Sequence, residues 1–107
     1  MKIDLMQLEF IDLKLRKMAL EVESRFGEKV ITSLYRIGDT GVHGTMPLSG
    51  MDLRCTSQIH GQEVEKWVND IWSYDSSRPE KKCCLFHNAG SGWHLHLQVH
   101  PKTVRRK

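Results

Sequence analysis

Hydrophobic and polar positions follow two different periods along this chain, and each change of period marks an element boundary. Between about residues 4 and 26, Leu8, Ile11, Leu15, Met18, Val22 and Phe26 recur at spacings of three and four, with charges between them. That pattern predicts one amphipathic helix, and Gly27 is placed to cap its C-terminus. Residues 30–36 are rich in β-branched and aromatic side chains and predict a strand. Residues 37–50 contain four glycines and Pro47 and predict a loop. A short second strand follows over 51–55. Val64, Trp67, Val68 and Ile71 then share one face of a second helix over about 60–73, which the run Asp75-Ser76-Ser77-Arg78-Pro79 breaks. Residues 82–87 and 93–100 predict two further strands, joined by a Gly-containing turn over 88–92 and therefore expected to form an antiparallel hairpin. Pro101 ends the last strand. The order of elements predicts an α+β fold. Its core would be a small, mainly antiparallel sheet of about four strands with two helices packed on one face. No repeat or linker divides the chain, so residues 1–107 are expected to form one domain.

Composition narrows the functional classes. The chain has 107 residues, 39% hydrophobic and 27% charged, which suits a soluble globular domain. No apolar run approaches the roughly 20 residues of a membrane helix, so no membrane insertion is expected. The formal charge is only +3, and the basic residues are interspersed with acids except at Arg105-Arg106-Lys107. A nucleic-acid module would carry a stripe of cations along one element, so nucleic acid is not an expected partner. A basic tail contacting an anionic polymer or a host protein is the minority reading. Met1-Lys2-Ile3-Asp4 lacks the charged-then-apolar order of a secretory signal, and the protein is expected in the cytoplasm at synthesis. Cys55, Cys83 and Cys84 are odd in number and lack a CxxC spacing. Adjacent residues of a regular strand point to opposite faces, so Cys83 and Cys84 cannot jointly chelate one ion there. They read as buried free thiols.

Histidine is the composition's outlier, with six residues, none before His43. Three of them lie in the last predicted strand, Trp93-His94-Leu95-His96-Leu97-Gln98-Val99-His100. Alternate residues of a strand share a face. Leu95, Leu97 and Val99 therefore turn toward the helices, while His94, His96, Gln98 and His100 turn away. Several imidazoles in a row on one face have no packing rationale, and two at i and i+2 favour metal binding. His43 in the Gly-rich loop and Asp52 at the next strand are candidates to complete the set. One carboxylate and two imidazoles suit zinc.

Taken in order, Ser33-Leu34-Tyr35-Arg36, Val42-His43-Gly44, Gly50-Met51-Asp52-Leu53-Arg54 and His94-Leu95-His96 resemble the LAS-type zinc peptidases. That group comprises D-Ala-D-Ala carboxypeptidases and dipeptidases, phage L-alanyl-D-glutamate endolysins, murein endopeptidases and the hedgehog domain. The likeness spans about residues 30–100. It implies Zn²⁺ held by His43, Asp52 and His96, with His94 as the general base beside the metal's water. Arg36 would contact the substrate at the scissile carbonyl, and Tyr35 and Gln98 would line the substrate side. The implied partner is a peptidoglycan stem peptide, and the implied setting is a monomeric enzyme such as a phage protein released by a holin. Two positions depart from the family pattern. His43 and Asp52 are nine residues apart rather than seven, and Trp93 stands where many members carry an acid. His94 would take that acid's place, as a histidine does in the murein endopeptidases. The competing reading is a non-catalytic zinc-binding domain of the same fold. His60 and His87 read as structural, and His100 has no assigned role.

Overall fold

Asp12 decides where the first helix begins. In the computed structural model, which describes residues 11–27, 30–35, 48–55, 57–88 and 92–106 without the side chains of Ser33 and Tyr35, helix α1 spans Leu13–Phe26. The Asp12 carboxylate accepts the Lys14 amide at 2.8 Å, satisfying one of the donors that a helix start leaves unpaired. The helix predicted from about residue 4 is therefore corrected at residues 11 and 12. Ile11 forms a parallel bridge with Leu48, and the Asp12 amide donates to the Leu48 carbonyl at 2.8 Å. Ile11 is buried all the same, so its place in the apolar stripe reported burial and not helicity. Leu8 lies outside the described residues. At the other end Gly27 has φ of +93° and its amide returns to the Glu23 carbonyl, in the left-handed region that suits glycine.

The strands are β1 (Ile31–Tyr35), β2 (Gly50–Arg54), β3 (Trp72–Ser73), β4 (Cys84–Asn88), β5 (Trp93–Gln98) and β6 (Val104–Arg105), and helix α2 spans Gln58–Ile71. Four of them form one sheet in the order β1-β2-β5-β4, antiparallel at every junction. The predicted hairpin is β4–β5, and β5 lies between β2 and β4. Met51, Leu53, Cys84, Leu95 and Leu97 from the sheet are buried with Leu15, Met18 and Val22 of α1 and Val64 and Val68 of α2 in one core cluster. Each large apolar side chain buried in this way contributes on the order of 1.5–3 kcal/mol. The α+β class and the covering of one sheet face by two helices agree with the sequence reading. No helix among the described residues is long and apolar enough to cross a membrane.

Helix α2 sits close on the sheet because of a glycine. A Cβ at Gly61 would lie 2.2 Å from the Phe86 ring, and Phe86 in turn stacks on Trp93 with centroids 4.8 Å apart. The same helix completes the outer edge of β4. The Asn69 side chain accepts the amides of Cys83 and Cys84 and donates to the Cys84 carbonyl, and Glu65 accepts the Phe86 amide at 2.8 Å. Cys83 lies in a bend just before β4, not on its pleat. The opposite-face argument therefore does not apply to the pair, and both thiols are wholly buried and unbridged.

The C-terminal region differs most from expectation. Helix α2 begins at Gln58, capped by Ser57, two residues before the expected start, so His60 lies within its first turn. The helix ends at Ile71, and Trp72 turns directly into β3, which pairs with β6. The expected helix to residue 73 is corrected by this second, two-stranded sheet, to which Val104 and Arg105 contribute. Thr103 is buried; its hydroxyl accepts the His100 amide at 2.7 Å and donates to the Tyr74 carbonyl at 2.8 Å. Arg105 pairs with Glu21 and lies over the Trp72 ring, and Arg106 donates to the Asn69 carbonyl at 3.0 Å. Arg105 and Arg106 are thus docked against the helix layer, and Lys107 lies outside the described residues.

Candidate functional site

The alternation of β5 holds in the structure. Leu95, Leu97 and Val99 are buried, and His94, His96, Gln98 and His100 are partly exposed. The register of β2 against β5 puts Asp52 directly opposite His96 and Arg54 opposite His94. On the other side, β4 puts Leu85 opposite His96 and His87 opposite His94. Among the described residues, the sheet face away from the helices thus carries one carboxylate and three imidazoles on three adjacent strands.

Asp52 and His96 meet on that face. Their Oδ1 and Nδ1 atoms are 3.1 Å apart, with side-chain exposures of 27% and 14%. The second ring nitrogen, Nε2, lies 3.1 Å from Gln98 Oε1. The Gln98 amide nitrogen donates to the Lys82 carbonyl at 2.6 Å, which is what turns its oxygen toward the imidazole. Gln98 therefore orients His96, a role the substrate-side expectation did not include. The hydroxyl of Thr32 donates to the Asp52 carbonyl at 3.2 Å, fixing the backbone beside the irregularity between Ile31 and Ser33.

The Asp52–His96 pair fits zinc in chemistry and in spacing. Oxygen and nitrogen ligands at about 2.0–2.1 Å from a tetrahedral ion lie about 3.3 Å from each other, close to the separation seen. Binding would exchange the hydrogen bond for two metal bonds, since an imidazole coordinates through an unprotonated nitrogen. His43, Arg36 and the side chain of Tyr35 lie outside the described residues. The backbone of Tyr35 pairs with Gly50 in β1–β2. Among the described residues, no group of three or more His, Cys, Asp or Glu side chains is placed to hold a metal ion.

His94 shares the face of His96, as expected. His87, expected to be structural, stands on the same open face. Its ring centroid is 6.4 Å from both His94 and His96. The turn predicted over 88–92 would set Phe86 opposite His94; the connection is one residue shorter, Asn88 pairs with Trp93, and the register sets His87 there instead. Trp93 belongs to the opposite, helix-covered side, stacked on Phe86. An acid at that position would project away from Asp52 and His96. His100 belongs to the C-terminal turn, where its Nδ1 accepts the Lys102 amide at 3.1 Å. His60 packs edge-on against Phe26 in the helix layer, as a structural residue.

Cys83 and Cys84 are not activated as nucleophiles. Burial pushes the Cys83 thiol up to about 12, against a small opposing pull from Arg106. Cys84 is raised further, by burial first and then by Glu65 and the neighbouring thiols. A hollow of about 380 Å³ lies near the end of α2, lined by Asn69, Trp72, Pro79, Lys81, Lys82 and Arg106 among others. Among the described residues, no imidazole lines it. Compared with known proteins, the chain matches no protein-family model, no curated protein and no solved structure.

Proposed function

We propose that this protein is a zinc-dependent peptidase that hydrolyses peptidoglycan stem peptides, of the D,D-carboxypeptidase or L-Ala-D-Glu endopeptidase type. The observation that supports the reading is the pairing of Asp52 with His96 at 3.1 Å, on the face that also carries His94. Asp52 and His96 would hold the ion together with His43. Bound zinc supplies an acidified water and a polarised peptide carbonyl. His94 accepts a proton at an imidazole nitrogen and hands it to the leaving amine. Arg36 stabilises the charge developing on the carbonyl oxygen through its fixed guanidinium fork. Gln98 holds the His96 ring in place. The test is metal analysis of the native protein followed by digestion of purified muropeptides read by mass spectrometry. Stoichiometric zinc and cleavage within the stem peptide are expected. A protein that binds no zinc ends the reading.

A non-catalytic zinc domain of the same fold is the second reading. The stacking of Trp93 on Phe86, on the covered side of the sheet, favours it, because no carboxylate serves as base from that position. Zinc binding without cleavage, unchanged in His94→Ala, would select it.

A further inference from the structure

We infer that His87 and His94 form a second site on the open sheet face for a divalent first-row transition-metal ion, distinct from the Asp52–His96 pair. The two residues are direct partners in the β4–β5 register. Directly opposed residues of antiparallel strands have Cβ atoms about 4.5–5.5 Å apart on one face. Their ring centroids are 6.4 Å apart and tilted by 48°. Two imidazoles on one tetrahedral ion, with metal–nitrogen bonds of about 2.0–2.1 Å, have centroids about 5 Å apart. Side-chain rotation of about 1 Å closes the difference without moving the backbone. The strands already pair, so the ordering cost of bringing the ligands together is met by the fold.

The chemistry of the donors sets the class of ion. Imidazole suits Zn²⁺, Ni²⁺ and Cu²⁺, and hard cations prefer oxygen. His87 is exposed, so solvent fills the remaining coordination positions. His96 is not a donor here, since its nitrogens face Asp52 and Gln98. Arg54, opposite His94 in β2, is exposed, and its repulsion of a cation is screened by water. With only two protein ligands the second ion binds more weakly than the first. It also engages His94, suspending the proton-transfer role proposed for that residue.

The experiment is titration of the metal-free full chain with Zn²⁺ by calorimetry, in wild type, His87→Ala and Asp52→Ala/His96→Ala. The expected result is two classes of site in the wild type. The weaker one should lose at least about tenfold in affinity in His87→Ala and persist in the double variant. In parallel, substoichiometric Cu²⁺ added to the Asp52→Ala/His96→Ala protein should broaden the ring signals of His87 and His94 before those of His60 and His100. A His87→Ala titration superimposable on wild type overturns the second site. So does a single ion lost equally in either variant, or Cu²⁺ broadening that spares His87. If instead the double variant titrates like wild type, the zinc-peptidase reading fails while the site at His87 and His94 stands.

Discussion

Asp52 and His96 are 44 residues apart in sequence and face each other across the β2–β5 junction, carboxylate Oδ1 to imidazole Nδ1 at 3.1 Å. Their meeting is a property of register. A slip of one residue between these strands would turn one of the two side chains to the other face. If the pair holds zinc, His96→Ala and Asp52→Ala should each lose the tightly bound ion, measured as zinc per chain after dialysis. His94→Ala should keep that ion and lose about 10²–10⁴-fold in muropeptide cleavage, the usual scale for a missing proton-transfer group. Tight zinc retained in His96→Ala would remove His96 from the metal site.

Gly61 should not tolerate alanine, although alanine is the better helix former by about 1 kcal/mol. The added methyl meets the Phe86 ring at 2.2 Å, and that ring is held by its stack on Trp93. Overpacking of this kind costs about 1–3 kcal/mol, so urea denaturation of Gly61→Ala should show net destabilisation. Placed in a Phe86→Ala background, the same substitution should become neutral or stabilising. Equal effects in both backgrounds would mean that the contact with Phe86 is not the cause.

Thr103→Val tests the docking of the C-terminal strand. Valine has the same shape but neither accepts the His100 amide nor donates to the Tyr74 carbonyl. Leaving buried polar groups unsatisfied costs about 1–3 kcal/mol. A lower midpoint of thermal unfolding, with faster hydrogen exchange at the Arg106 amide that bonds the Ile71 carbonyl, is the expected outcome. Unchanged exchange would show that the turn holds without the threonine.

Asp75 gives the fold an acid-sensitive turn. Its carboxylate accepts the Ser77 hydroxyl and amide and the Arg78 guanidinium. These hydrogen bonds, the Ser77 hydroxyl first, hold it well below the ordinary carboxylate range. A depressed folded-state value means stability that is present above the unfolded value, near 4, and is lost as pH falls below it. Asp75→Asn should therefore be less stable than wild type at pH 7. The gap should narrow progressively as pH falls below about 4. A gap that stays constant from pH 7 to pH 2 would contradict the assignment.

The sequence by itself determined the local elements and the sidedness of β5. Helical spacing placed Leu15, Met18 and Val22 on one buried face of α1, and strict alternation placed His94 and His96 opposite Leu95 and Leu97, because both patterns follow from backbone geometry. The glycine cap and the β4–β5 hairpin were readable for the same reason. Other features depended on contacts between distant segments. The stripe through Ile11 looked helical, but Asp12 and the bridge to Leu48 ended the helix at Leu13. Strands β3 and β6 are two residues each, too short for any periodicity to show. Pairing also decided that His87 stands beside His94, that Gln98 orients His96 and that Trp93 turns away from both. Periodicity tells which side of its own element a residue takes, whereas only the register between elements tells which residues share that side.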